Sequence, residues 1–155
     1  MLTKSGIHAI RALTILAQVP DGLYQGAAAI ARATAAPANY LGKLLHTMVR
    51  AGLVESQKGL GGGFRLARPP HAISILDVVD AIDGVGRFES CIFGGTNCSD
   101  VHPCAVHHRW AAVRGDYLEM LRATRIVDLL ASSEHRGVLL VPTGVLEDIQ
   151  KAKEA

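Results

Sequence analysis

The stretch from residue 53 to residue 66 limits the folds open to this chain more than any other. Its sequence, L-V-E-S-Q-K-G-L-G-G-G-F-R-L, places two short β-type runs around a glycine-rich tip, which is typical of a β-hairpin. Residues 53–57 are predicted to form the first strand, residues 58–63 the tip and residues 64–66 the returning strand. A dinucleotide-binding loop is not expected, because Phe64 occupies the position of the third glycine in G-x-G-x-x-G.

Three helical segments are predicted before the hairpin. Apolar residues at helical spacing indicate a first helix over residues 4–18, which the Pro-Asp-Gly turn at residues 20–22 ends. The alanine-rich residues 25–33 predict a short second helix. Pro37 suits the first turn of a third helix, which Gly52 ends. Two helices separated by a short turn and followed by a hairpin predict a winged helix-turn-helix, mainly α with a small β-hairpin wing.

The second half of the chain is also predicted to be helical, up to about residue 135. Residues 73–82 predict a helix that Ser74 caps, with Asp77 three residues on in a capping-box arrangement. A long helix is predicted from about Pro103, and a short one over residues 125–131.

A seam of apolar residues runs along the long helix. Its members recur at spacings of 4, 3, 4 and 3, the repeat of a coiled-coil contact: Val106, Trp110, Val113, Tyr117 and Met120. Burial of the seam within one chain is the alternative. We predict a homodimer contact through the last four, because a small winged helix rarely has enough core to bury the single tryptophan and a whole stripe as well.

All three cysteines fall inside one stretch of fourteen residues, beside three histidines. The group comprises Cys91, Cys98, Cys104, His102, His107 and His108. Thiolate and imidazole together select zinc, iron or an iron-sulfur cluster over magnesium or calcium. The thiols stand among Gly, Asn, Ser and Asp, which speaks against a packing role, and an odd number speaks against a disulfide framework. We therefore predict a metal or cluster site.

Charge is distributed unevenly along the chain. Residues 1–70 carry eight Lys/Arg against two Asp/Glu, whereas residues 71–155 carry eight against twelve. The basic half coincides with the predicted winged helix and is the candidate surface for an anionic partner. There is no apolar run of about 18 residues and no secretory-signal layout, so a cytoplasmic protein is expected.

Several motifs taken together resemble the IscR/NsrR-type family of bacterial winged-helix transcription regulators. They are L-T-K at residues 2–4, Tyr40-Leu41, A-G-L-V-E-S at 51–56, K-G-L-G-G-G-F-R-L at 58–66 and the three cysteines. The resemblance covers roughly residues 2–135. It implies a homodimeric, sequence-specific DNA-binding regulator, expected to be a repressor, whose DNA affinity an iron-sulfur cluster controls in response to iron, redox state or nitric oxide.

The same resemblance implies a set of cluster ligands. Cys91, Cys98 and Cys104 match the three cluster cysteines, and His107 matches the histidine three positions after the third, which favours [2Fe-2S] over [4Fe-4S]. His102 and His108 are the alternative fourth ligands. Two features depart from the family pattern. The first cysteine spacing is one residue longer, and Ile7 replaces the acidic first-helix ligand of [4Fe-4S] members. Zinc bound by the same four residues is the alternative, and a thiol redox switch is a third reading.

DNA contacts are expected from the third helix and the wing. Eight residues are candidates: Asn39, Tyr40, Lys43, His46, Lys58, Gly59, Gly61 and Arg65. Asn39 is the candidate base reader, because an amide can pair bidentately with adenine, and a helix N-cap is its alternative role. Lys58 stands where IscR-like sequences commonly have arginine. A two-fold dimer requires a pseudo-palindromic operator.

An enzyme is not expected, because no nucleophile-base pair or paired carboxylates stand out. A metal-dependent hydrolase and a dimeric scaffold without DNA are the remaining alternatives. The predicted organisation has four regions: residues 1–84 as DNA-binding domain, 85–104 as cluster-binding loop, 105–135 as dimerisation helices and 136–155 as C-terminal tail.

Overall fold

The structure is a computed structural model that describes residues 2–93 and 98–133. The predicted tail, residues 136–155, lies outside the described residues. No helix in the described ranges combines the length and the apolar character needed to cross a bilayer.

Three helices form the N-terminal part of the fold: α1 (Lys4–Leu16), α2 (Ala27–Thr34) and α3 (Ala38–Arg50). α1 begins after Thr3, whose side-chain oxygen accepts a hydrogen bond from the Gly6 N–H at 3.0 Å and so satisfies a free donor of the first turn. α2 ends at Ala35, which adopts the left-handed conformation with φ 52°. A short connection then leads into α3, which confirms the predicted helix-turn-helix.

A β-hairpin follows α3. Strands β1 (Val54–Gln57) and β2 (Gly63–Leu66) pair antiparallel, so the returning strand begins one residue earlier than predicted. Gln25 and Phe64 exchange backbone hydrogen bonds of 2.8 and 2.9 Å, which fix β2 to the chain just before α2. A Cβ at Gly63 would lie 2.4 Å from the Gln25 carbonyl oxygen, so this contact requires glycine.

Helix α4 (Ile75–Asp83) begins with the predicted capping box. The Asp77 N–H donates to Ser74 Oγ at 3.1 Å, and the Ser74 N–H donates to Asp77 Oδ2 at 2.8 Å. A short 3₁₀ segment, Val85–Glu89, leads into the cysteine loop.

Two further helices complete the described chain: α5 (His107–Ala123) and α6 (Ile126–Ser133). α5 begins at His107 and not near Pro103, because a turn closed by the His107 N–H on the Cys104 carbonyl (3.0 Å) precedes it. Val106 is the N-cap of α5 and so stands outside the helical seam. α6 returns to the winged helix, where Ile126 is fully buried and its N–H donates to the Ile73 carbonyl.

One apolar core joins these elements. Its largest fully buried side chains come from α1 to α4, the hairpin and α6: Leu13, Ile15, Ile30, Leu41, Leu45, Met48, Leu53, Val54, Ile73, Val78, Val79 and Ile126. Because α5 supplies only Leu121 to this core, its remaining apolar side chains lie near or on the surface.

Candidate functional site

The exposed face of α3 carries three of the predicted DNA-contacting residues. Asn39, Lys43 and His46 are all exposed, and their spacing of four and three places them on one side of the helix. The opposite side is buried in the core. Arg50 lies one further turn along the exposed face and is also exposed. Arg50 was not among the residues predicted to contact DNA, although continuing the same helical spacing from His46 indicates it.

Tyr40 is placed differently from its neighbours on α3. Its hydroxyl lies 2.6 Å from Ser5 Oγ, and its ring packs edge-on against His8 of α1, with 5.9 Å between ring centroids. The residue is half-buried and faces α1. Its contact with DNA stays a prediction.

The wing presents a cationic tip. Lys58, Gly59 and Gly61 are exposed, and both glycines have positive φ, 94° and 75° respectively. Leu60 lies between them and is also exposed, although no role was predicted for it. The tip therefore offers a lysine ammonium group and an apolar side chain from one tight turn.

Arg65 is engaged within the hairpin. Its Nε donates to Glu55 Oε1 at 2.6 Å, and its guanidinium carbon lies 4.7 Å from the centre of the Tyr24 ring. The hydrogen bond to the Glu55 carboxylate raises the pKa of Arg65, which keeps the side chain cationic. This ion pair connects the two strands, and a contact between Arg65 and DNA stays a prediction.

The surface from α2 to the wing is basic. Between residues 27 and 66 the sequence has five Lys/Arg and one acidic residue, Glu55, which Arg65 already neutralises. His46 of α3 packs edge-on against Phe64 of β2, with 5.5 Å between ring centroids, so the third helix contacts the wing. An excess of cationic residues in these two elements suits a phosphate backbone.

The cysteine loop places its thiols at different depths. Cys91 and Cys98 are partly buried, whereas Cys104 is exposed. Burial raises the pKa of the Cys98 thiol, and the charge of Cys91 and a hydrogen bond with Cys91 raise it further, while Arg114 lowers it. Cys91 and Cys98 are thus neighbours in space.

The first turn of α5 is attached to both sides of the cysteine loop. Trp110 Nε1 donates to the carbonyl oxygen of Ser90 at 3.2 Å, directly before Cys91. The buried imidazole of His107 has its Nε2 atom 2.6 Å from Asp100 Oδ1, on the later part of the loop. A change in the shape of the loop would therefore act on α5 at two points.

The donors suit a soft metal or a cluster in their chemistry, since three thiols and an imidazole are present in one loop and its adjoining helix turn. Within the described residues, no three His, Cys, Asp or Glu side chains form a group that could hold a metal ion. The four predicted ligands are thus near one another in the fold without being gathered around a single point.

The predicted seam on α5 contains two exposed and two half-buried residues. Val113 and Met120 are 58% and 54% exposed. Trp110 and Tyr117 are half-buried, and the Tyr117 ring packs on Phe88 with 5.4 Å between centroids. The alternative of burial within one chain thus applies in part to Trp110 and Tyr117. The homodimer contact stays a prediction.

A series of contacts connects the region beside α5 to the start of α1. Phe88, which contacts Tyr117, follows Arg87, and Arg87 Nη1 lies 3.4 Å from Asp83 Oδ2. Asp83 in turn accepts a hydrogen bond of 2.7 Å from the Thr3 hydroxyl. We call this series the Asp83 link.

Comparison with known proteins gives the chain its family. Residues 2–132 match the Rrf2 family, described as "Iron-dependent Transcriptional regulator". An HTH-type transcriptional regulator from Aquifex aeolicus is 33% identical over 129 residues, which cover 82% of this chain and 89% of that protein.

Two solved structures share the fold. CymR, the global cysteine regulator of B. subtilis, matches with a TM-score of 0.74 and 22% identity over 86% of this chain and 98% of CymR. IscR from T. potens matches with a TM-score of 0.70 and 22% identity over 89% of this chain and 92% of that chain. The winged-helix fold and the resemblance to IscR/NsrR-type regulators are confirmed.

The matched proteins are transcriptional regulators and not enzymes, which agrees with the prediction. A contact between DNA and the basic residues of α3 and the wing stays a prediction. The chain therefore belongs to the Rrf2 family of winged-helix, DNA-binding transcriptional regulators.

Proposed function

We propose that this regulator is a homodimeric repressor whose affinity for its operator is controlled by an iron-sulfur cluster in the cysteine loop. The observation that carries the proposal is the double attachment of that loop to α5, through Trp110 to Ser90 and through His107 to Asp100. A ligand held by the loop would thereby set the position of α5. The description of the family as iron-dependent agrees with this proposal.

Three thiolates and an imidazole would hold the cluster, from Cys91, Cys98, Cys104 and His107, and [2Fe-2S] is the favoured type. When bound, the cluster supplies an iron centre that responds to oxidants, nitric oxide or loss of iron. Asp100 Oδ1 accepts a hydrogen bond from the Nε2–H group of His107 and so orients the ring, as carboxylate partners of ligating histidines do.

The signal would reach the DNA-binding surface through packed elements. The Asp83 link runs from the 3₁₀ segment beside α5 to Thr3 at the start of α1. Two residues further along α1, Ser5 contacts the Tyr40 hydroxyl of α3. A displacement of α5 would thus alter how α1 supports the helix that reads DNA.

On the DNA, Asn39, Lys43 and His46 would face the major groove, while Lys58 at the wing tip would contact the backbone. The exposed Val113 and Met120 of α5 would pack against a second copy of the chain. The dimer would bind a pseudo-palindromic operator with half-sites about 34 Å, or a multiple of that distance, apart.

A thiol switch without metal is the second candidate. The proximity of the partly buried Cys91 and Cys98 thiols favours it, because neighbouring thiols can be oxidised to a disulfide. Zinc in the same donor set is the third candidate, since Cys₃His suits tetrahedral zinc.

An anaerobic visible absorption spectrum, with iron, sulfide and zinc analysis of the freshly isolated protein, tests the proposal. We expect absorption in the visible range and equal amounts of iron and sulfide, together with different operator affinities before and after cluster removal. Colourless protein that contains zinc would indicate a structural zinc site instead of a cluster, because Zn²⁺ is d¹⁰ and does not absorb visible light. Metal-free protein whose DNA affinity changes on thiol oxidation would favour the thiol switch.

A further inference from the structure

The apex of the wing carries an apolar side chain that contacts nothing else in the fold. Leu60 is fully exposed, at 107% of the reference accessibility of leucine, which is the largest value among the exposed apolar residues of the described chain. The next values are 77% at Val101 and 76% at Phe93, both in the cysteine loop. A leucine in this position adds nothing to the apolar core, so the fold gives no reason for it.

The turn that presents Leu60 is sterically restricted. The Gly62 N–H donates to the Gly59 carbonyl at 3.0 Å, which makes Leu60 the second residue of a four-residue turn. Gly61, the third residue, has φ 75°, as in a type II turn. A Cβ on Gly62 would lie 2.3 Å from the Gln57 carbonyl oxygen, so the backbone passes too close for any larger residue.

Close contacts also fix the base of the hairpin. Gly63 lies against the Gln25 carbonyl, and the Arg65–Glu55 ion pair connects the two strands. Leu60 therefore projects from a turn whose backbone is fixed by a hydrogen bond and by close contacts. Little conformational freedom of the backbone would be lost when this side chain is buried by a partner.

The surroundings of Leu60 favour DNA as that partner. Lys58 stands two residues before it, and no acidic side chain occurs between residues 27 and 66 except Glu55, which is paired. The wing contacts α3 through the His46 and Phe64 rings, so its tip would meet the duplex beside the groove that α3 enters. Apolar side chains that enter a minor groove insert between base steps.

We propose that Leu60 enters the minor groove as an apolar DNA contact, with Lys58 holding the neighbouring phosphate. The two residues contribute to DNA affinity in different ways. Lys58 contributes affinity that depends on salt, whereas Leu60 contributes affinity that depends on the shape of the groove and not on salt. This role concerns the DNA-binding module alone and does not require the cluster.

The test uses the full-length protein and a DNA duplex that it selects from a randomised pool. Dissociation constants are measured over a series of salt concentrations for the wild type, Leu60→Ala, Leu60→Asn, Leu60→Met and Lys58→Ala. Val127→Ala, which trims an exposed apolar residue of α6, is the matched control. Hydroxyl-radical cleavage, which attacks sugars in the minor groove, locates the wing on the duplex.

We expect Leu60→Ala and Leu60→Asn to weaken binding by about tenfold, with an unchanged slope of log affinity against log salt. Leu60→Met should stay within about twofold of the wild type, because it keeps an apolar side chain of similar volume. Lys58→Ala should lower the salt slope, and Val127→Ala should change neither quantity. Sugars protected by the wild type should become cleavable in Leu60→Ala.

Unchanged affinity of Leu60→Ala and Leu60→Asn would overturn the proposal. So would a reduced salt slope in either variant, or equal losses in Leu60→Met and Leu60→Asn. Thermal unfolding and sedimentation of each variant complete the test. A lower unfolding midpoint for Leu60→Ala would indicate that Leu60 stabilises the fold. A changed oligomeric state would indicate that Leu60 contacts another protein chain. Either result would contradict the DNA contact.

Discussion

The indole Nε1 of Trp110 donates a hydrogen bond to the carbonyl oxygen of Ser90, 3.2 Å away. The donor lies on the first turn of α5 and the acceptor directly precedes the first cysteine of the loop. This bond therefore connects the residue before Cys91 directly to the helix that carries the exposed Val113 and Met120.

Replacing the indole should weaken the communication between loop and helix. A hydrogen bond of this kind contributes about 0.5–1.5 kcal/mol, so Trp110→Phe should reduce the ratio of operator affinities of the cluster-loaded and cluster-free protein by about two- to tenfold. Fluorescence anisotropy on both forms measures the ratio. Arg109→Ala changes an exposed neighbour on the same turn and should leave the ratio unaltered. An unchanged ratio in Trp110→Phe would mean that the bond carries no signal.

Asp100 should matter for retention of the cluster although it is not a predicted ligand. Its carboxylate lies 2.6 Å from His107 Nε2, and removal of such a partner commonly costs about 10–100-fold in metal affinity. Asp100→Asn should therefore release iron to a chelator faster than the wild type. Asp116→Asn, which changes an exposed carboxylate on α5, is the control. Equal release rates for Asp100→Asn and the wild type would argue against His107 as a ligand.

Lys43 should act through charge. It is exposed on the outer face of α3, where an ammonium group can replace a condensed counterion on DNA. Lys43→Ala should weaken binding to selected and random duplexes alike and lower the salt slope by about 1.8, because the dimer loses two phosphate contacts of about 0.9 each. Arg122, which is paired with Glu119 on α5, provides the control, because Arg122→Ala should keep the wild-type slope. A wild-type slope in Lys43→Ala would remove α3 from the DNA-binding face.

Arg65 has two possible roles that one pair of measurements separates. Its ion pair with Glu55 predicts that Arg65→Ala and Glu55→Gln both lower the thermal unfolding midpoint, by a small amount because both side chains are partly exposed. A phosphate contact predicts instead that only Arg65→Ala lowers the salt slope of DNA binding. We expect the first result. A large fall in slope with an unchanged midpoint would restore Arg65 as a DNA anchor.

The order of the elements could be predicted because the local sequence signals agree with the tertiary structure. The glycine-rich tip predicts the hairpin, and Ser74 with Asp77 predicts the start of α4, since each signal acts over a few residues. The pairing of Glu55 with Arg65 could also have been predicted, because the two residues stand opposite each other in the hairpin register.

The remaining differences come from a local turn and from a contact between helices. Pro103 suggested a helix start, but the turn that His107 closes on Cys104 delays α5 by about four residues. Tyr40 was assigned to DNA from its position on α3, and only the packing of α3 on α1 reveals its contact with Ser5. Such contacts depend on how helices cross, which the spacing of apolar residues does not specify.

Tyr117 provides a test of the fold near the Asp83 link. Its hydroxyl is buried without a hydrogen-bond partner among the described residues, and burial raises its pKa, with the Asp83 charge adding to the effect and Arg87 opposing it. A buried unpaired hydroxyl contributes little or unfavourably to stability, so Tyr117→Phe should leave the free energy of unfolding near neutral pH unchanged or slightly higher. Phe88→Ala should instead destabilise by about 3–5 kcal/mol, because it removes a buried ring.

The free energy of unfolding should depend on pH through the Tyr117 hydroxyl. A phenol whose pKa is higher in the folded state binds its proton more tightly there, so its contribution is complete below the unfolded pKa of about 10 and is lost as the pH rises through the folded value. Above about pH 10 the unfolding free energy of the wild type should therefore fall more steeply than that of Tyr117→Phe. Denaturant titrations at several pH values measure the difference. If the unfolding free energies of the wild type and Tyr117→Phe fall in parallel with pH, the Tyr117 hydroxyl is solvated in the folded protein and α5 packs less closely on the 3₁₀ segment.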